Sequence, residues 1–192
     1  MDYETSVILS RQQIRLISKF FRKFVNVRTT LFPVMKVMDK LEKKFPDVLF
    51  FSVEEDDKFD SLVMAFLEPQ DDGTFCIKIR QSVYNSALVG DRASLCYICH
   101  ELCHFILIYV FGIGPKQYVD ISGVVYARSV KEKEIPPYKS MEWQAKALCG
   151  EVMIPYEKCK DCSLDEIIEL TQSSTEQARY FLTHVVNGGE KY

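Results

Sequence analysis

The strongest constraint in this sequence is a pair of histidines four residues apart inside an apolar stretch, His100-Glu101-Leu102-Cys103-His104. Leu95, Ile98, Leu102, Phe105 and Tyr109 recur through the same stretch at helical spacing, and Asp91 stands where it can cap the start. The segment from about Arg92 past Tyr109 therefore reads as one helix with an apolar stripe. Residues four apart on a helix lie one turn along and about 40° round, so both imidazoles leave from one face. That geometry suits a single metal ion held by two ring nitrogens, a donor type that zinc favours in tetrahedral sites. Glu101 lies about 100° round from His100. Its carboxylate falls beside such an ion rather than on it, within reach of a water that zinc acidifies to a pKa of about 7. A carboxylate in that position is a candidate general base. The bland alternative is a buried helix with two incidental histidines, but only three histidines occur in the whole chain.

A catalytic zinc usually has a third protein ligand and leaves a fourth position open. His184 is one candidate, and Asp120, Glu132, Glu134, Glu142 and Glu151 are the acidic ones after the motif. Ser140 can cap a helix that must finish before Pro155, and Glu142 lies in its first turn. Ala145, Leu148, Cys149 and Val152 form the packed side of that helix, and Glu142 shares it. Glu151 comes nine residues later, about 180° away, so the two glutamates cannot both face one ion. Glu132, Glu134 and Lys146 read as solvated.

His100-Glu101-Leu102-Cys103-His104, followed by Glu142-Trp143-Gln144-Ala145-Lys146-Ala147-Leu148-Cys149-Gly150-Glu151-Val152-Met153-Ile154-Pro155, resembles the two motifs of the ImmA/IrrE metallopeptidases. The resemblance implies that Glu142 is the third ligand beside His100 and His104, that Glu101 is the catalytic base, and that the cofactor is Zn2+ in a gluzincin-like site. It also implies the substrate class, a helix-turn-helix transcriptional repressor of a phage or mobile element, cut at a peptide bond. Two positions depart from the family pattern. Cys103 stands where Gly or Ala is usual, bringing a thiol near the expected ion, and Lys146 stands where Asn or Asp is usual. The connection from His104 to Glu142 is also longer than the family's, and its tyrosines, from Tyr109 to Tyr138, are candidates for stabilising an oxyanion.

The rest of the chain frames this centre. Ser10 can cap a first helix with Ile14, Ile17, Phe20, Phe21 and Phe24 on one face and Arg11, Arg15, Lys19, Arg22 and Lys23 on the other. Pro33 opens a second helix, with Val34, Val37, Met38, Leu41 and Phe45 inward. Three strand candidates follow: 48–53, 62–67 and the alternating 74–80, with a turn at Gln70-Asp71-Asp72-Gly73 between the last two. Residues 164–186 read as two short helices broken near Ser173-Ser174-Thr175. They resemble a helix-turn-helix, but Asp165, Glu166, Glu169 and Glu176 face only Arg179, whereas a recognition helix needs basic phosphate contacts.

The expected fold is α+β: a mostly helical single domain over 1–192, with a small antiparallel sheet beside the zinc-binding helix. Residues 1–30 form an amphipathic helical arm, 33–155 the zinc core and 163–187 a closing helical pair. The net charge of −3 argues against a chain that lives on phosphate backbones. The run from Phe105 to Gly114 is too short to span a bilayer. No secretion signal is visible, so the seven cysteines read as reduced thiols of a cytoplasmic protein, and Cys159-Lys160-Asp161-Cys162 as a weak CxxC signal. The expected partner is a protein substrate, with no direct nucleic acid and no membrane. The competing expectation is a zinc-containing protein-binding module, of toxin, antitoxin or adaptor type, with weak or lost catalysis.

Overall fold

The computed structural model describes residues 2–119, 125–127, 129–130 and 135–187, with the backbone alone for 117–119, 125–127 and 129–130. The elements run in the order β1 (Asp2–Tyr3), α1 (Arg11–Phe24), α2 (Val34–Lys44), β2 (Leu49–Glu54), β3 (Ala65–Pro69), β4 (Phe75–Arg80), α3 (Gln81–Leu88) and α4 (Arg92–Phe105). After them come β5 (Gln117–Val119), β6 (Val125–Ala127), β7 (Ser129–Val130), α5 (Met141–Met153), α6 (Tyr156–Cys159), α7 (Leu164–Thr171) and α8 (Thr175–Tyr180). The α+β class is as expected, with helices packed on a three-stranded sheet and two further two-stranded pairings, β1 with β7 and β5 with β6.

α4 is the axis of the fold. The Ser94 amide donates to Asp91 Oδ2 at 2.8 Å, so the start of the helix is capped as the sequence indicates. The helix continues past Phe105 into one wider turn, Ile106–Val110, where the Phe111 amide bonds the carbonyl of Ile106. Gly112, at φ +66°, lets the chain leave in a left-handed conformation. Taken as one helix, Arg92–Val110 is 19 residues and is long and apolar enough to cross a membrane. Its apolarity is used inside the protein: Ile98, Leu102, Phe105 and Ile106 are fully buried among the sheet, α2, α3 and α5.

β2 and β4 lie within a residue of expectation and β3 begins three residues later than expected, but the sheet is mixed rather than antiparallel. Its order is β2-β4-β3, with β2 parallel and β3 antiparallel to β4. The β3–β4 hairpin closes through the Gln70 amide on the Thr74 carbonyl, with Gly73 at φ +83°. Residues 55–64 are long enough to carry the chain past β4's place before β3 begins. β4 then returns between the two earlier strands and must run parallel to β2. Strand β4 is therefore the centre of this sheet, and β3 is an edge. Lys78 on β4 is bracketed by Glu68 at 2.8 Å and Glu54 at 4.0 Å.

α3 was not foreseen. Its eight residues lack a strong amphipathic pattern, and it has no side-chain cap. α1 buries Ile14, Ile17 and Phe21 against α5, while Phe20 is 44% exposed and stacks on Phe24. Arg22, assigned by periodicity to the solvated basic side, is buried. Its guanidinium donates to the carbonyls of Val152, Thr29 and Thr30, tying α1 to the last turn of α5. Arg22→Met should therefore lower stability by about 1–3 kcal/mol, because one buried carbonyl and two part-buried ones lose their donor. Urea denaturation reads this directly, and a loss below about 0.5 kcal/mol would show that water replaces the guanidinium at no cost.

Candidate metal centre

Three donors converge between α4 and α5. His100 Nε2 lies 3.1 Å from Glu142 Oε2, His104 Nε2 lies 3.1 Å from Glu142 Oε1, and the two Nε2 atoms are 3.1 Å apart. The imidazoles meet edge to face, with centroids 4.6 Å apart. This is one of two groups among the described residues whose donors are close enough to share a metal ion. Bonds of about 2.0–2.1 Å in a tetrahedral site place neighbouring donors about 3.3 Å apart, so the observed spacing fits a common ion of zinc's size. Two nitrogens and one carboxylate are also donors that zinc accepts. Several other divalent ions accept them too, so the donor set marks a metal-binding group without identifying the metal.

Local sequence explains each position. The i, i+4 spacing puts both rings on one side of α4. Ser140 caps α5 by accepting from the Trp143 amide at 2.8 Å, which sets Glu142 in the first turn. Ala145, Leu148 and Val152 are fully buried on the face of α5 that meets α4, and their modest bulk lets the two helices approach. Glu151 points the other way, where it is buried and accepts from Arg15 Nε at 3.0 Å, in keeping with the half-turn separation. His184 is exposed and stacked on Tyr180. Asp120, Glu132 and Glu134 lie outside the described residues, as do the side chains of Tyr118 and Tyr126.

Glu101 stands next to this group but is not part of it. Its Oε1 is 4.0 Å from His100 Nε2, and its Oε2 accepts the Leu67 amide of β3 at 2.8 Å. Burial raises its pKa against the lowering influence of His104 and His100. A carboxyl poised in this way can take up and release a proton nearer neutrality than a solvated one. Burial also works against the ionised form of Glu142, but hydrogen bonds from His100 and His104 prevail and hold its carboxyl far below the usual range. Burial tends to lower the His104 imidazole, yet the Glu142 hydrogen bond and the charge of Glu101 raise it overall.

Asp2 was missed at the sequence level. It is almost fully buried behind the site, accepting the Ser140 hydroxyl at 2.6 Å and the Glu142 amide at 3.2 Å. An acidic residue in a short N-terminal segment carries no pattern that would reveal this role. Cys103 also differs from expectation. Its thiol groups with Cys99 and Cys149 in a buried cluster between α4 and α5, not with the histidines. Comparisons with family models, curated proteins and solved structures give no match.

Glu142→Ala should abolish stoichiometric binding of a divalent metal, tested with added zinc as the probe, whereas Glu151→Ala should leave it near wild type. Asp2→Ala should weaken affinity about 10-fold, the usual scale for loss of a group that orients a ligand. Competition with a chromogenic chelator ranks all three, and an unchanged affinity in Glu142→Ala would remove that residue from the ligand set. A pH dependence follows as well. In metal-free protein the folded state holds the His104 proton above the unfolded value of about 6.5, so that contribution is complete below this pH and is lost as pH rises. Thermal unfolding in chelator should therefore show stability falling as pH rises above about 6.5. Zinc-saturated protein should not fall in this window, because metal and proton compete for the ring nitrogens.

Proposed function

We propose that the chain is a zinc-dependent endopeptidase of the ImmA/IrrE type, acting in the cytoplasm on a protein substrate. The observation that carries this reading is the position of Glu101. It is a buried carboxylate with raised proton affinity, adjacent to the three-donor group and fixed by a backbone amide instead of joining the donors. A purely structural metal site takes four protein ligands and gains nothing from such a neighbour.

His100, His104 and Glu142 would hold the ion. When bound, zinc supplies Lewis acidity toward the scissile carbonyl and the attacking water. Glu101 takes the proton of that water as it attacks, then delivers it to the departing amine, so one carboxyl serves both halves of the reaction. The Leu67 amide bond keeps one oxygen of Glu101 anchored and leaves the other directed toward His100. Substrate backbone must be extended to be cut, because a helix ties up its carbonyls internally. The edge strand β3 offers main-chain groups along which such a segment can lie. The substrate class, a helix-turn-helix repressor cut in a flexible segment, rests on the resemblance of the two motifs.

The test incubates purified protein with zinc and the repressor encoded beside its gene, followed by mass spectrometry of the products. One discrete cut is expected in wild type. Glu101→Gln should retain zinc and lose cleavage by at least about 100-fold, the lower end for a general base. Loss of zinc in Glu101→Gln would sink the division between ligands and base. Stable binding with no cut, equal in wild type and variant, would favour a zinc-containing binding module instead.

A further inference from the structure

Four of the seven cysteines, Cys96, Cys99, Cys103 and Cys149, gather where α4 meets α5, and none of the seven is in a disulfide. They are not equivalent. Cys99, Cys103 and Cys149 are buried and their thiols stand well above the usual value, Cys99 chiefly through its hydrogen bond with Cys103 and Cys103 chiefly through burial. A thiol in that condition does not start an oxidation, since the thiolate is the reactive form. Cys149 differs from the other two in lining, with Cys96, an open cavity of about 620 Å3, together with Tyr97, Trp143, Met153 and Tyr180. Their sulfurs are 4.0 Å apart, and the Gln177 side-chain amide donates to the Cys96 sulfur at 2.9 Å. A donor on sulfur stabilises the thiolate, the form that reacts with oxidants. The hydrogen bond with Cys149, then that from Gln177, holds the Cys96 thiol below its usual value despite burial. This half-buried sulfur with a donor and a second sulfur beside it has the arrangement of an oxidisable cysteine and its resolving partner.

We propose that Cys96 and Cys149 form a reversible thiol–disulfide pair, oxidised by a peroxide entering through the cavity, that cross-links the two helices carrying the metal ligands. The Cys96 thiolate attacks one oxygen of hydrogen peroxide. The O–O bond breaks, hydroxide leaves and takes up the thiol's proton as water, and Cys96 becomes a sulfenic acid. The Cys149 sulfur then attacks the Cys96 sulfur. The S–S bond forms as the S–O bond breaks, and the hydroxyl leaves with the Cys149 proton as a second water. Two thiols lose two electrons, and one peroxide is reduced to two waters. The sulfurs close from 4.0 Å to about 2.05 Å, a movement that side-chain rotation and a small helix shift can supply.

The consequence for the metal rests on the reading of His100, His104 and Glu142 as ligands. The first two belong to α4 and the third to α5, so ligand separation requires the helices to part. A covalent tie between the helices resists that motion, and oxidised protein should lose zinc to a chelator several-fold more slowly than reduced protein.

The chemistry is tested on the unaltered protein, reduced and then exposed to a small excess of hydrogen peroxide. Mass spectrometry should show loss of two hydrogens and a single cross-linked peptide pair containing Cys96 and Cys149, both reversed by dithiothreitol. Cys96→Ser and Cys149→Ser should each abolish the cross-link, and Cys99→Ser should leave it. A disulfide through Cys99, Cys103, Cys159 or Cys162, a sulfinic acid on Cys96, or oxidation confined to Met153 would overturn the pairing. Equal chelator-release rates in the two redox states would overturn the coupling to the metal. A protein that binds no zinc would instead overturn the metal reading, and the cross-link would still be decided by mass spectrometry.

Discussion

Everything at the candidate site depends on how closely α5 packs on α4. One helix alone offers two imidazoles and no enclosure. The second, lying against it through Ala145, Leu148, Cys149 and Val152, brings a carboxylate within 3.1 Å of both. Small and medium side chains at the crossing decide how near the axes come, and a bulky residue at Ala145 or Cys103 would push Glu142 away. Each of those positions is fully closed to solvent, so no empty space stands ready to absorb an added methylene. The chemistry of the donors is thus set by packing some distance from them.

A second layer fixes the polar groups. Glu142 is oriented through its own backbone, whose amide is tied to Asp2, while Asp2 is held by the hydroxyl that caps α5. Glu101 is oriented by a strand, through the Leu67 amide. Neither anchor is a long flexible side chain, and backbone donors lose little entropy when they bond. The edge of β3 therefore has two uses at once. The hairpin partner β4 takes one row of its main-chain groups, and the Leu67 amide, on the other row, aims the carboxylate.

Much of this was legible in the sequence because periodicity and capping are local. The four-residue spacing, Asp91 and Ser140 specify the two helices and their phases, and phase alone separates Glu142 from Glu151. What was illegible is tertiary. No local signal makes β2 and β4 parallel, since the direction depends on where residues 55–64 carry the chain. None makes Asp2 a buried neighbour of Glu142 across 140 positions. Arg22 is a related case. Its place on the helical wheel borders the apolar face, and only the carbonyls at the end of α5 turn it inward.

The electrostatics narrow what such an arrangement is for. Two imidazoles and two carboxylates drawn into a largely buried space oppose folding unless they are paired, because desolvation penalises every charged form. Here Glu142 satisfies both rings, and its ionisation is protected as a result. Glu101 receives one backbone bond and remains the group whose charge is least compensated, with its proton affinity raised by burial. A fold selected only for stability would gain by replacing that carboxylate with an apolar residue of similar size, since the helix around it is already apolar. A carboxyl that is buried, oriented and kept out of the donor set is difficult to account for as packing, and it suits a group that exchanges a proton beside a metal.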